Sequence, residues 1–419
     1  MELYPGCQIA QLESGLVVIA EERDRRPLSL GLWIRVGSRD EPEERSGAAH
    51  FLEHLLFKGT EHRTAFQIAE EIDALGGVIN GATHEEYTLY YVNVLPEHLE
   101  EALDVLTDLV QHPLLREEEI ERERGVVLEE IRMVEDNPQE KVFELFVQQS
   151  WRDGHPLARP VLGRAETVTK IARADLLEQF SLYTPKNMLL IGVGGIEFAK
   201  LLRLAEEKLG DSVREARPPE RRPPEAQRHF HIENRDSHQA YLCLGVEGLP
   251  RGDERRYALE IMNAILGSGM SSRLFKRIRE ELGLAYAVGS LPNYYLDSGL
   301  FVIYVGTEPG NAKKTVEIVL EETERLRREP VSEERLRLAK EKLKGNLLLG
   351  LEGSQARMVR LGLGEIYRLH MPVEETICRI EAVTATDVQE VAEILFSHPL
   401  SLSASGPGER LRGLERFFS

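Results

Sequence analysis

The sequence predicts an α+β protein built from two related halves. The chain has 419 residues, which is more than one hydrophobic core usually serves, so two domains of about 200 residues each are the default. Segments typical of strands and of amphipathic helices are mixed in both halves. A break in composition lies near the middle of the chain, and the overall composition is that of a globular protein.

Two kinds of periodicity identify the elements. Runs rich in aromatic and β-branched residues indicate strands, and apolar residues spaced three or four apart indicate helices that bury one face. The clearest predicted elements are the strands Ser29–Ser38, Thr88–Leu95, Gln239–Gly248 and Ser298–Thr307 and the helices Glu97–Val110 and Ala312–Glu329.

The composition break is VREARPPERRPPEAQR, residues 213–228, which holds four prolines and many charges without apolar periodicity. It predicts a linker between domains at 1–212 and 229–419. The halves echo each other, because ERSGAAHFLEHLLF follows the first strand and ERRYALEIMNAILG follows the third. Aligning Glu44 with Glu254 gives an offset of 254 − 44 = 210. This favours a duplicated domain, with chance similarity of two strand-then-helix units as the alternative.

Charge and cysteine content exclude several function classes. A net charge of -19 disfavours nucleic acid and anionic membranes as partners. The three cysteines, Cys7, Cys243 and Cys378, are far apart and predict neither a disulfide framework nor a cysteine-based zinc site. The N-terminal segment lacks the pattern of a signal or transit peptide, and no run of about 18 apolar residues occurs. We expect a cytoplasmic protein.

The segment HFLEHLLFKGT, His50–Thr60, contains the pattern H-x-x-E-H. On a helix, His50 and His54 lie on one face and can both reach one zinc ion at about 2.0–2.1 Å. Glu53 is close enough to act on a metal-bound water without being a ligand, and the pattern inverts the H-E-x-x-H motif. Partly exposed helix histidines without a metal are the alternative. At the offset of 210, the second half has Glu260, Asn263 and Ala264 instead.

A third protein ligand is expected, and the segment Leu115–Phe146 reads as one long helix with several acids. At 100° per residue, Glu123 and Glu130 fall about 20° apart on an apolar stripe, where carboxylates are costly unless something compensates them. Glu129 lies about 100° away and reads as a solvated acid. We choose Glu130 as the ligand and Glu123 as its neighbour; acids at a helix interface are the alternative. The stripe also carries Val126, Val127, Met133 and Val134.

Taken together, HFLEHLLFKGT, GGVINGATHEEYTLYY and ERGVVLEEI resemble the pitrilysin, insulin-degrading enzyme and mitochondrial processing peptidase family of zinc metallopeptidases. A glutamate further along completes the family motif, and the separation 130 − 54 = 76 fits Glu130. The resemblance covers nearly the whole chain. It implies that His50, His54 and Glu130 bind zinc, that Glu53 is the catalytic base, and that Glu123 supports the ligands. It also implies that each domain is a mostly antiparallel sheet packed with helices, the two forming half of a clamshell.

The segment Gly76–Tyr91 joins small residues to a strand. Its exposed edge could pair with an extended peptide, and an ordinary glycine turn is the alternative. The resemblance implies that Asn80 and Ala82 bind substrate there, and we assign Phe57 to the same role. The family often has alanine in place of Gly81, a difference that we expect to matter little.

Arg279 and Tyr286 are seven residues apart in SSRLFKRIREELGLAYAVGS. Spacing alone favours an exposed helix arginine and a core tyrosine. The pattern nevertheless resembles the arginine–tyrosine pair of the family's inactive half. The resemblance implies that these two side chains hydrogen-bond the substrate backbone and the developing oxyanion.

The resemblance implies a zinc-dependent metalloendopeptidase that hydrolyses short or unfolded peptides inside a closed chamber. A homodimer is expected, and a paralogous partner chain is the alternative. The cofactor expected is Zn²⁺, although manganese or cobalt are alternatives. Three other functions stay open: a processing peptidase for one defined protein, a non-catalytic scaffold subunit, and a generic α+β binding protein.

Overall fold

The computed structural model describes residues 1–24, 26–152, 154–210 and 216–418. These residues form two compact units, each with one mostly antiparallel sheet and several helices, which confirms the α+β prediction. The first unit contains Met1–Arg132, Arg159–Arg222 and Gly350–Met371, and the second contains the rest of the described chain.

The strands and helices are numbered along the chain. The strands are β1 (Glu2–Tyr4), β2 (Cys7–Gln11), β3 (Val17–Glu22), β4 (Leu28–Ile34), β5 (Val78–Thr83), β6 (Thr88–Val94), β7 (Met188–Gly194), β8 (Phe230–Asn234), β9 (Ala240–Glu247), β10 (Ala285–Tyr294), β11 (Gly299–Thr307) and β12 (Ser401–Gly406). The helices are α1 (Ala48–Leu56), α2 (Ala65–Ala74), α3 (Leu99–Gln111), α4 (Glu117–Asp136), α5 (Pro138–Ser150), α6 (Ala165–Val168), α7 (Arg173–Ser181), α8 (Phe198–Leu209), α9 (Arg256–Leu266), α10 (Ala312–Arg328), α11 (Glu333–Gly350), α12 (Ser354–Ile366), α13 (Val373–Ala382), α14 (Ala385–Phe396) and α15 (Gly408–Leu411). A π-helical segment spans Phe275–Glu281.

The sheet of the first unit has the strand order β1-β2-β3-β7-β4-β6-β5. Its neighbours pair antiparallel except β3 and β7, which are parallel. Strand β4 is buried along its whole length, as expected for a central strand covered on both faces. Helix α12 covers one of those faces, where the Trp33 indole nitrogen lies 3.3 Å from the Met358 sulfur. A Cβ atom on Gly362 would come within 2.2 Å of the Trp33 ring, so only glycine permits this approach.

The sheet of the second unit has the order β10-β11-β9-β12-β8, with β12 and β8 parallel. This repeats the order β5-β6-β4-β7-β3 of the first sheet, including the position of the parallel pair. Strands at matching places lie close to the predicted offset; for example, β9 begins 240 − 28 = 212 residues after β4. The same topology thus occurs twice in the chain.

The predicted strands and helices match observed elements to within a few residues, with one exception. The helix predicted over Leu115–Phe146 is wrong, because α4 ends at Asp136 and α5 begins at Pro138. The Asn137 carboxamide oxygen accepts from the backbone N–H groups of Gln139 and Glu140 at 3.1 and 3.4 Å. Asparagine at the cap and proline at the first helical position start a new helix.

The two units are not consecutive halves of the chain. Residues 133–158 belong to the second unit and 350–371 to the first, an exchange that the predicted domains 1–212 and 229–419 do not contain. Each exchanged segment supplies apolar side chains to the sheet on which it packs. Phe146 lies in a buried cluster with residues of β9 and β11, and Met358 in one with residues of β4 and β7.

The predicted linker, 213–228, starts outside the described residues, which resume at 216. Its described part up to Pro223 forms neither helix nor strand, which agrees with its proline content. Arg221 donates to both carboxylate oxygens of Asp40 at 2.8 and 2.7 Å, and Arg39 donates to the Arg222 carbonyl at 2.6 Å. Charge-assisted hydrogen bonds therefore hold this stretch on the first unit.

Two global properties accord with the sequence. Within the described ranges, no helix is both long and apolar enough to cross a membrane. All three cysteines are free thiols, with Cys7 and Cys243 buried and Cys378 exposed.

Acidification should destabilise the second unit through His229. Its ring packs 5.0 Å from the Phe146 ring, and burial lowers its pKa to about 4. An unfolded chain has a histidine pKa near 6.5, so the unfolded state binds this proton first as the pH falls. Neutral His229 therefore makes its full contribution to the free energy of unfolding above pH 6.5. This contribution is lost progressively as the pH falls toward 4, and the loss reaches up to about 3 kcal/mol.

Urea unfolding at a series of pH values checks this prediction. The free-energy difference between the parent chain and His229→Gln should shrink as the pH falls through that window. His238→Gln, at an exposed position in the same unit, controls for the loss of a histidine. A difference that stays constant with pH would refute the effect.

Candidate metal centre

A buried carboxylate starts the helix that carries the H-x-x-E-H pattern. Glu41 accepts hydrogen bonds from the backbone N–H groups of Gly47 at 2.9 Å and Ala49 at 2.6 Å. Gly47 adopts the left-handed conformation with φ 99°, which favours glycine. Burial raises the pKa of Glu41 to about 8, although the backbone donors act in the opposite direction. These contacts fix where α1 begins. No pattern in the sequence predicted them.

The predicted ligands come together in the first unit. His50 and His54 are one turn apart on α1, with ring centroids separated by 4.6 Å. The Nε2 atoms of both lie 3.6 Å from the same oxygen, Oε2 of Glu130 on α4. The three side chains offer ligand atoms that all lie within 4.8 Å of one another. Two imidazoles and one carboxylate thus converge on a single point.

Burial prepares His50 to act as a ligand. It lowers the pKa of this side chain to about 4, and the neighbouring His54 adds to the effect. The imidazole is therefore neutral at pH 7, which is the form that binds metals. Its Nδ1 is buried without a hydrogen-bond partner, so the protein makes little other use of this ring.

The position of Glu130 corrects one step of the sequence analysis. The buried stripe of α4 consists of Ile120, Glu123, Val127 and Ile131, whereas Val126 and Met133 are exposed. Glu130 lies at the edge of that stripe with 37% of its side chain exposed. Glu129 is solvated, as predicted, and pairs with Arg132 at 2.6 Å. The Glu130 side chain is therefore partly exposed to solvent and points to the two histidines.

Glu123 is buried beside the ligands and bridges a histidine and a lysine. One oxygen lies 3.4 Å from Nδ1 of His54, and the other accepts from the Lys58 ammonium group at 2.9 Å. A carboxylate with 4% exposure needs such compensation. The sequence analysis placed Glu123 near the site but missed Lys58. A usable signal existed, since Lys58 is four residues after His54.

Glu53 lies on the same helix in a different environment. It is 9% exposed, and its Oε2 accepts from the Thr83 hydroxyl at 2.7 Å. Burial raises the pKa of this carboxyl group against the opposing effects of Thr83 and His54. A Cβ atom at position 81 would lie 2.7 Å from Oε1, so Gly81 provides the space for the carboxylate. The absence of a side chain at Gly81 thus matters more for the placement of Glu53 than we expected. The hydrogen bond from Thr83 to Glu53 was not predicted from the sequence.

The segment predicted to bind substrate forms β5, which is the last strand of its sheet. It pairs with β6 on one side, with Asn80 opposite Tyr91 and Ala82 opposite Leu89. No described strand pairs with its other side. Side chains alternate along a strand, so Asn80 and Ala82 point away from the face that Gly81 turns to Glu53.

Phe57 lies at the end of α1 and packs on the core. It is partly buried, and its ring lies 6.1 Å from that of Tyr90. The Tyr90 hydroxyl is in turn 2.9 Å from that of Tyr183. This packing supports α1, and nothing in it singles out a contact with substrate.

Arg279 and Tyr286 are neighbours in the second unit. The guanidinium carbon of Arg279 lies 4.7 Å from the centre of the Tyr286 ring and 4.8 Å from that of Phe275. Tyr286 is 78% exposed, so it is not the core tyrosine that spacing alone suggested. The pair thus joins the partly exposed Arg279 of the π-helical segment to the exposed Tyr286 at the start of β10.

The second unit retains the framework of the site without its chemistry. Asn263 on α9 accepts from the Ser290 hydroxyl on β10 at 2.6 Å. Asn263 is at the position of Glu53 by the offset 263 − 53 = 210, whereas the hydroxyl partners are 290 − 83 = 207 residues apart, so the two contacts are similar but not equivalent residue for residue. Both groups of potential metal ligands among the described residues lie in the first unit. Among the described residues, possible metal centres therefore occur in the first unit alone.

Comparisons with known proteins agree with this division. The family described as Insulinase (Peptidase family M16) matches residues 16–165. The domain described as Peptidase M16 inactive domain matches residues 170–343. The first match contains all three converging ligands, and the second contains Arg279 and Tyr286.

Similar proteins cover almost the whole chain. An uncharacterized zinc protease of Streptomyces coelicolor is 38% identical over 408 residues, which is 94% of this chain and 88% of that protein. An uncharacterized zinc protease of Bacillus subtilis is 37% identical over 403 residues, 94% of this chain and 97% of that protein.

Solved structures share the fold. A protease from Helicobacter pylori superposes with a TM-score of 0.91 at 22% identity, covering 95% of this chain and 99% of that one. A Pseudomonas fluorescens structure described as a peptidase M16 inactive domain gives 0.87 at 20% identity, with coverage of 96% and 98%. Because the two zinc proteases are 38% and 37% identical over 94% of the chain, and the family descriptions match both units, the chain belongs to the insulinase family of peptidases, family M16.

Proposed function

We propose that this protein is a zinc-dependent metalloendopeptidase. The observation that carries the proposal is the convergence of His50 and His54 on one oxygen of Glu130, 3.6 Å from each Nε2. A buried glutamate, Glu53, lies on the same helix. The description of the relatives as zinc proteases supports the same reading.

The donor set fits zinc. Two imidazoles and one carboxylate are a common ligand set of catalytic zinc sites, which keep another position open. The unpartnered, buried Nδ1 of His50 is consistent with a ring held for its other nitrogen. When bound here, zinc would act as a Lewis acid that activates water and polarises the scissile carbonyl.

The chain itself supplies proton transfer and positioning. Glu53 would take a proton from the attacking water and pass it to the leaving amine. Its raised pKa suits this role, because a general base works best with a pKa near the working pH. The Thr83 hydroxyl orients the carboxylate, and the free edge of β5 would hold an extended peptide by main-chain hydrogen bonds.

Arg279 and Tyr286 are proposed to hydrogen-bond the substrate. A guanidinium and a phenol are hydrogen-bond donors suited to a peptide carbonyl and to the oxyanion that develops from it. The exposure of Tyr286 and its contact with Arg279 support a shared role. Asn80 and Ala82 would act through the backbone of β5.

We further propose short or unfolded peptides as substrates, since strand addition needs an extended backbone. The expected assembly is a homodimer that encloses a chamber, and the expected location is the cytoplasm, in keeping with three free thiols. Digestion of a mixed peptide library checks the substrate class. Many products support it, whereas cleavage of one sequence alone would indicate a processing enzyme.

Metal content and activity, measured on one preparation, test the central proposal. Zinc should bind, and cleavage of a quenched fluorescent peptide should be lost to a chelator and restored by zinc. A zinc-loaded chain that cleaves no peptide would favour the scaffold function.

The variant Glu53→Gln should retain zinc and lose at least about 100-fold in kcat, because the amide cannot accept the proton. Glu129→Gln, on the solvated face of α4, is the matched control and should retain activity. Full activity of zinc-loaded Glu53→Gln would exclude the base role.

The variant Glu123→Gln should bind zinc about 10–100-fold more weakly, because His54 loses the carboxylate that orients it. Competition with a chromophoric chelator measures the affinity, again against Glu129→Gln. Equal affinity in both variants would contradict this role of Glu123.

The variant Tyr286→Phe should lower kcat more than it raises KM, since the phenol acts on charge that develops in the transition state. Tyr286 is exposed, so loss of its hydroxyl leaves the core of the second unit intact. Tyr241→Phe removes a hydroxyl that donates to the Gln239 carboxamide at 2.8 Å, and serves as the control. A change confined to KM would disprove the oxyanion role.

A further inference from the structure

A second group of potential metal ligands lies in the first unit, separate from the candidate catalytic ligands. It consists of His62, Asp108 and His112. His62 lies between α1 and α2, while Asp108 and His112 are one turn apart at the end of α3. Neither the sequence analysis nor the proposed peptidase mechanism uses these side chains.

The ligand atoms of this group face one another. Oδ1 of Asp108 lies 2.7 Å from Nδ1 of His62 and 3.2 Å from Nδ1 of His112. The two rings are perpendicular, with an interplanar angle of 89° and centroids 4.9 Å apart. Each of the three side chains offers a ligand atom within 4.8 Å of those of the other two. The same holds for His50, His54 and Glu130.

Asp108 is held so that one oxygen stays available to the histidines. Its Oδ2 accepts from the Thr60 hydroxyl at 2.6 Å and from Arg63 at 2.9 Å. The side chain is only 6% exposed. Oδ1 is thereby directed at the two imidazoles, an orientation of the kind that supporting hydrogen bonds give to metal ligands.

Backbone hydrogen bonds also hold the loop of His62 next to the segment that carries Asp108 and His112. Glu61 donates its N–H to the His112 carbonyl at 2.9 Å, and Leu114 donates to the Gly59 carbonyl at 3.1 Å. The loop that carries His62 is thus tied to the end of α3. A site assembled before the ion arrives loses less conformational entropy on binding.

Local charge does not oppose a cation. Arg63 and Lys208 lie nearby, but both are paired with carboxylates. Arg63 contacts Glu71 at 2.9 Å and Asp104 at 2.6 Å in addition to Asp108. The carboxylates of Glu71, Asp104 and Asp108 outnumber the cations of Arg63 and Lys208, so the net charge of these five side chains is negative. The side chains border a cavity of about 410 Å³.

We propose that His62, Asp108 and His112 form a second metal site, for a divalent transition cation of the zinc class. Two imidazoles and a carboxylate suit zinc, cobalt or nickel and do not suit calcium or magnesium, which prefer oxygen ligands. The histidine side chains are 58% and 41% exposed, so water can enter and complete the coordination. The ion would link the loop after α1 to α3 and stabilise the first unit.

Counting bound metal tests the proposal directly. The full chain is equilibrated with zinc, freed of unbound metal by gel filtration and analysed for zinc per chain. We expect about two ions in the parent chain and about one in His62→Asn/His112→Gln. Asp108 is left intact, because Thr60 and Arg63 depend on it. His98→Gln, at the other end of α3, is the matched control and should keep both ions.

A second series separates this proposal from the peptidase proposal. His54→Gln disrupts the candidate catalytic site and should retain about one ion, which addition of the His62 and His112 changes should remove. Zinc should raise the Tm of His54→Gln and leave that of the triple variant unchanged. If the parent and His62→Asn/His112→Gln bind equal zinc, the cluster is only hydrogen-bonded and the second site does not exist. If His54→Gln instead binds as much zinc as the parent, and the His62 and His112 changes remove that zinc, the catalytic assignment fails and the second site stands.

Discussion

The site depends on how α1 packs on the core of the first unit. Phe51, Leu52 and Leu55 are fully buried, and this fixes the rotation of the helix about its axis. At 3.6 residues per turn, His50 and His54 then fall together on the opposite edge. Every other part of the site, from α4 to β5, is placed against a helix whose orientation hydrophobic burial has already set.

The acidic side chains around α1 are stabilised by different hydrogen-bond and ion-pair partners. Glu41 caps its start, Glu53 bonds to a hydroxyl, and Glu123 pairs with Lys58. Each is buried, and a buried carboxylate without such partners would cost several kcal/mol. Glu130 is instead partly exposed and faces the Nε2 atoms of both histidines. It differs in this from the three buried acids.

The repeated topology shows how one framework serves two purposes. A helix side chain bonds to a hydroxyl on the neighbouring strand in both units, as Glu53 to Thr83 and Asn263 to Ser290. An amide preserves the packing and the hydrogen bond but cannot act as a base. The second unit has a similar contact between helix and strand, and it also carries the neighbouring side chains of Arg279 and Tyr286.

Local pattern alone determined the helices, the strands and the pairing of His50 with His54, because periodicity and spacing are properties of a single element. It also pointed to Glu130, although Glu130 lies at the edge of the buried stripe and Val126 and Met133 lie outside it. Tertiary structure decided the rest: the partners of Glu123 and Glu53, the exchange of segments between the units, and the meeting of a loop with α3. Those contacts join residues far apart in the chain, where no sequence period reports which surfaces the hydrophobic core will bring together.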